Sequence, residues 1–103
     1  MKSPVTLGPL SAIPEGEGRT YEVDGRRLAV FRGRDGALFA TQADCPHKNG
    51  PLADGLLGGT TLICPLHALK FDLTTGKALN GDCSLHVYPL QLTANGQLQV
   101  DLG

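Results

Sequence analysis

Cys45-Pro46-His47 and, after residues 48–63, Cys64-Pro65-Leu66-His67 supply two thiols and two imidazoles in matched CxH and CxxH pairs. Each cysteine is followed directly by a proline, and the simplest geometry for two such segments is a pair of loops closing over one small object. Thiolate and imidazole together are metal ligands, so the object is either a two-iron cluster, with cysteines on one iron and histidines on the other, or a single zinc ion. Zinc spacings usually begin with two cysteines two to four residues apart, whereas CxH sets unlike ligands one residue apart. The mixed pairs therefore favour iron and sulfide, and Cys45, His47, Cys64 and His67 are the candidate ligands of one cluster per chain.

Working outward from these pairs, helical periodicity is scarce and strand-like segments recur. Leu28-Ala29-Val30-Phe31, Ala37-Leu38-Phe39-Ala40 and Gln97-Leu98-Gln99-Val100-Asp101-Leu102 read as half-buried strands. Asp24-Gly25, Asp35-Gly36 and Asn95-Gly96 are dipeptides that supply positive φ in two-residue hairpin turns. Fourteen glycines and seven prolines fit many short strands and tight turns better than helices. The expected fold is all-β, an antiparallel sandwich or partly open barrel, with a loop-built cluster-binding subdomain at about 43–72 inside a single domain spanning 1–103. Phe71 to Gly76 reads as a short strand entering a turn, with Gly76 wanting positive φ. His86 to Leu92 returns to the base sheet.

The whole chain sets the outer bounds. At 103 residues and 41% hydrophobic content it has room for one compact core. A formal net charge of -1 gives no sign of a nucleic-acid or anionic-membrane partner. The start, Met1-Lys2-Ser3-Pro4-Val5, has no apolar run of signal-peptide length, and no segment reaches membrane-spanning length. Three cysteines cannot make a complete disulfide framework, which points to a reducing compartment, the cytoplasm.

The ligand mixture has an electrostatic reason. Two ferric ions and two sulfides leave a positive core that two thiolates neutralise; four would make it doubly negative and harder to reduce. Histidine ligation of this kind is the Rieske arrangement, whose potentials span roughly -150 to +300 mV against about -400 mV for plant-type all-cysteine clusters. The free ring edges of His47 and His67 are the natural electron exit and the expected docking surface. Their ionisation should couple to the redox state.

Cys45-Pro46-His47-Lys48-Asn49-Gly50-Pro51-Leu52 with Asp54-Gly55, then Cys64-Pro65-Leu66-His67 and Phe71-Asp72 through Thr75-Gly76, resembles the Rieske ferredoxin family. Within that family, the Cys45-Pro46-His47-Lys48 start, the Pro51 to Gly55 continuation, the segment Lys70 to Leu79 and the downstream Tyr88-Pro89 are most similar to the small subunit of NAD(P)H-dependent nitrite reductase. That resemblance covers about Ala43 to Leu90. It implies a one-electron carrier beside a large catalytic subunit with flavin, a four-iron cluster and sirohaem. The alternative is the ferredoxin of an aromatic-ring dioxygenase system, working between a flavin reductase and an oxygenase. A reading of another class is a zinc-binding or non-redox interaction module.

High-potential relatives carry a second cysteine in each loop, at positions matching Gly50 and Leu66, and serine and tyrosine hydroxyls at positions matching Leu69 and Phe71. Their absence here implies a low potential. No nucleophile–base set or nucleotide-phosphate loop is present, so no catalytic residue is expected. Cys83 reads as a structural or incidental thiol and His86 as a surface or packing histidine. Lys48 and Lys70 read as solvated charges that could steer an acidic partner. Leu52, Leu66 and Phe71 read as core residues that could shield the cluster, and Phe31 and Phe39 as sheet core.

Overall fold

Short apolar segments cut by glycine and proline fold into short antiparallel strands. The computed structural model describes residues 4–44, 51–64, 69–81 and 83–102. Among these, the strands are β1 (Val5–Pro9), β2 (Glu17–Val23), β3 (Arg26–Arg32), β4 (Leu38–Gln42), β5 (Leu56–Gly58), β6 (Thr61–Ile63), β7 (Lys70–Asp72), β8 (Val87–Tyr88), β9 (Leu90–Leu92) and β10 (Gln97–Val100). They form three sheets, ordered β2-β3-β4-β8, β1-β10-β9 and β5-β6-β7, with all pairings antiparallel and no closure into a barrel. The described residues include no α-helix, only 3-10 turns at Leu10–Ala12 and Leu52–Asp54. None of their helices is long and apolar enough to cross a membrane.

The three hairpins form where the dipeptides stand, but by two different turns. Asp24 and Gly25 both have positive φ, 50° and 79°, and join Val23 to its partner Arg26 directly. That twist matches right-handed strands. At Asp35-Gly36 and Asn95-Gly96 the glycine alone has positive φ, and the loops are longer than the two residues expected. Gly33 N–H closes on Ala37 O at 2.7 Å and Thr93 N–H on Gln97 O at 2.8 Å. Side chains favour this wider closure, since Asp35 Oδ1 accepts from Ala37 N–H and Thr93 Oγ1 from Gln97 N–H.

The Leu28–Phe31 run departs from the half-buried expectation in an informative way. All four residues are buried, because the β2-β3-β4-β8 sheet is covered on both faces. Leu28 and Val30, with Ala40, face a core shared with Leu98 and Val100 of β10 and with Ile13. Ala29 and Phe31 point the other way, into a second core with Leu52, Leu62, Cys64, Phe71, Leu73 and Leu85. Fully burying each large side chain is worth roughly 1.5–3 kcal/mol, so β3 links two cores of substantial weight. Phe31 stands opposite half-buried Phe39 on that second face.

The chain changes sheets at Pro89. Val87–Tyr88 pairs with β4, and two residues later Leu90–Leu92 pairs with β10. A residue without an N–H suits this break, and its carbonyl is kept occupied by Asp101 N–H at 3.0 Å.

Tyr21 on β2 packs against the first core, and its hydroxyl is buried with no hydrogen-bond partner among the described residues. A buried polar group without a partner costs stability that its removal recovers. Tyr21→Phe is expected to hold or raise the melting temperature, by roughly 4–8 °C if about 1 kcal/mol is regained. A fall of several degrees in a thermal melt would mean the hydroxyl is bonded.

Candidate metal centre

The described residues that flank the two candidate ligand segments, their roots, are closed by backbone pairing. For the first, Asp44 and Pro51 face each other in an antiparallel bridge, and Leu52 N–H donates to Ala43 O at 2.9 Å. For the second, Cys64 N–H donates to Leu69 O at 2.8 Å, one step beyond the last β6–β7 pair, Ile63 with Lys70. Each segment therefore departs and returns at one place.

The two roots share one core. Leu52 is fully buried and Cys64 is 1% exposed, both among Leu62 and Phe71. Gly55 permits this approach: a Cβ there would lie 2.5 Å from Ile63 O and 3.1 Å from Leu52 O. The chain leaving the first loop thus crosses tightly over the strand that leads into the second.

Of the four candidate ligands, Cys64 is described; Cys45, His47 and His67 lie outside the described residues, as do Lys48, Gly50 and Leu66. Among the described residues no group of three or more His, Cys, Asp or Glu is gathered to hold a metal ion. Cys64 and Cys83 are free thiols. Cys83 is half-buried at the edge of the same core, and its carbonyl accepts from Ala78 N–H at 3.0 Å. His86 is exposed, its ring tilted against Tyr88 with centroids 4.4 Å apart, as a packing histidine would be. Leu52 and Phe71 are core, and Lys70 is exposed, its N–H donating to Asn80 Oδ1 at 2.8 Å.

The strand leaving the second root ends in a turn built by Asp72. Its carboxylate accepts from Thr74 Oγ1 at 2.7 Å and Thr74 N–H at 3.0 Å, and these bonds hold its pKa below the ordinary value. The turn's stabilisation is therefore present at neutral pH and fades only as pH falls through that lowered pKa. Gly76 follows with φ 83°, the positive value expected of it.

Sequence reading missed the polar braces around the first root. Arg27 Nη1 contacts both carboxylate oxygens of Asp44, at 3.0 and 3.2 Å, and Gln42 Nε2 donates to Asp44 O at 2.9 Å. The available signal was a carboxylate immediately before Cys45 in a chain with arginines on a neighbouring strand.

The described scaffold is all-β, and the flanks of both candidate ligand segments pack on one core, with Cys64 buried at one of them. The Rieske [2Fe-2S] domain matches residues 3–90, and the chain belongs to that family. It is a Rieske-type electron carrier, and its cofactor is a Rieske-type [2Fe-2S] cluster. The ferredoxin component of the naphthalene 1,2-dioxygenase system of Pseudomonas putida is 36% identical over 95 residues, 90% of this chain and 89% of that protein. Among solved structures, a Sphingomonas yanoikuyae B1 ferredoxin is 30% identical with a TM-score of 0.84, covering 98% of this chain and 100% of its own. A Mycobacterium tuberculosis protein assigned as the small subunit of an NADH-dependent nitrite reductase is 25% identical with a TM-score of 0.89, covering 97% and 95%.

Proposed function

We propose that Cys45, His47, Cys64 and His67 hold the cluster and that the chain is the ferredoxin component of an aromatic-ring oxygenase system. One observation carries the second half: 36% identity to a dioxygenase ferredoxin across nine-tenths of the chain. The donor set suits the cluster, because two thiolates and two neutral imidazoles balance a diferric core. Buried Cys64 at a loop root supports the assignment of the cysteine-bound iron to the protected side. When bound, the cluster supplies a one-electron couple. The chain's own part is to exclude water with Leu52 and Phe71 and to present the loop tips to a partner. The cluster-binding subdomain is then about residues 43–72 of a single domain. The reducing cytoplasm, where thiolates stay free for iron, is the matching compartment.

The nitrite reductase small subunit is the second reading, favoured by the TM-score of 0.89 and by the local segments around Lys48 and Lys70. Pull-down from native extract separates the two. An oxygenase α-subunit is the expected partner, and a stable complex with a sirohaem reductase alone would replace the first reading by the second.

The potential follows from the same residues. With three cysteines in all and two of them ligands, no disulfide can bridge the loops, and Leu69 and buried Phe71 offer no hydroxyl to the cluster. Fewer donors to cluster sulfur lower the potential, so a redox titration is expected to fall near the bottom of the Rieske range, about -150 mV. A clearly positive value would contradict this.

A further inference from the structure

We infer that Gln42 is a positioning residue for the first cysteine–histidine loop, an inference that rests on the reading of Cys45 as a ligand. Gln42 ends β4, three positions before Cys45. Its backbone N–H donates to His86 O at 3.1 Å, extending the β4–β8 ladder by one step. Its side-chain amide is then used at both ends: Oε1 accepts from His86 N–H and Nε2 donates to Asp44 O, each at 2.9 Å. One planar group joins the approach to β8 to the root of the loop.

The acceptor on Asp44 is what gives the contact its reach. That carbonyl belongs to the peptide unit that leads into Cys45, and because the unit is planar, holding its oxygen restricts how that unit can turn. Asp44 is held at its other end as well, by Arg27 on its carboxylate, while Ala43 N–H donates to Arg27 O at 3.2 Å. The exposed ion pair contributes little stability alone. With the half-buried glutamine it leaves the root few ways to turn. Gln42 therefore acts through the backbone, and its effect is expected on the cluster's environment and lifetime rather than on the fold.

The test uses the cluster-loaded protein purified anaerobically. Gln42→Glu keeps the size of the side chain and the acceptor for His86 N–H, but it sets an oxygen where the donor to Asp44 stood. Gln42→Ala removes both contacts. Gln91→Ala is the control, since it breaks a side-chain pair with Gln99 within the β1-β10-β9 sheet and touches neither Asp44 nor His86 through its side chain. With circular dichroism unchanged, Gln42→Glu should lose visible colour to a chelator roughly fivefold faster than wild type, the factor that one net hydrogen bond supplies. The reduced cluster should also show shifted g-values in electron paramagnetic resonance, which loss of stability elsewhere would not produce. Gln91→Ala should match wild type in both. If Gln42→Ala does not fold, the near-isosteric glutamate variant decides. Wild-type bleaching rates and g-values in Gln42→Glu would overturn the inference alone, whereas a wild-type protein that binds no iron would overturn the ligand reading together with it.

Discussion

Cys64→Ser is expected to give a folded, colourless protein with neither cluster absorbance nor a one-electron reduction wave, while Cys83→Ser keeps both. The two thiols are both free and both lie against the core of Leu52, Leu62 and Phe71, so proximity to that core does not separate them. Their backbone settings do. Cys64 stands at the root of a loop closed by its own N–H on Leu69 O, whereas Cys83 sits in the turn that pairs Lys77 with Ser84 and Ala78 N–H with its carbonyl. A serine hydroxyl is a hard, weakly acidic donor and a poor substitute for thiolate on iron. Placing it in this core costs about 1–3 kcal/mol, against a total of roughly 5–15 kcal/mol for a domain of this kind. The apo fold should survive, which circular dichroism would check while iron and sulfide analysis reads the cluster. His67→Ala should likewise lose the histidine-side iron. A coloured Cys64→Ser variant with unchanged potential would remove that residue from the ligand set, and a bleached Cys83→Ser variant would put the wrong cysteine in it.

What was legible in the chain was chemistry carried by neighbours in sequence. Asp24-Gly25 determines its own turn, and Gln97 to Val100 alternates because one face of β10 meets the core of Ile13, Leu28 and Val30. The proposed donor pairs are local patterns of the same kind, CxH and CxxH, which is why the chain alone suggests them. The double burial of Leu28–Phe31 was not, because periodicity reports a strand and not what covers the sheet. There the second cover is built by residues 52–85, far along the chain. The braces of the first root were hidden in the same way: Arg27 reaches Asp44 across 17 positions, and His86 reaches Gln42 across 44. A glutamine at a strand end carries no local mark of such a role.

Gly55→Ala is expected to be strongly damaging for a single added methyl, for a reason unconnected with glycine's flexibility. At φ -72° and ψ 169° its backbone suits alanine, so the entire effect is one of space. The new Cβ would sit 2.5 Å from Ile63 O, 3.0 Å from Leu62 Cδ1 and 3.1 Å from Leu52 O. Two of those three atoms are backbone and cannot swing aside. Relief must come from moving β6, which runs into Cys64, or the turn at Leu52–Asp54, which follows the first loop. Either motion parts the two roots. Overpacking of this kind costs about 1–3 kcal/mol or more, so the melting temperature should fall by roughly 10 °C, and the protein that does fold should lose its cluster faster. Gly58→Ala, three positions on, is the matched control: its Cβ would meet nothing within 4 Å and its φ is not positive, so it should be neutral or stabilising by up to about 1 kcal/mol. Thermal melts of the two variants side by side isolate the crossing. A Gly55→Ala protein that melts with wild type would mean that β6 yields freely, and the two loops would then not be held together by this contact.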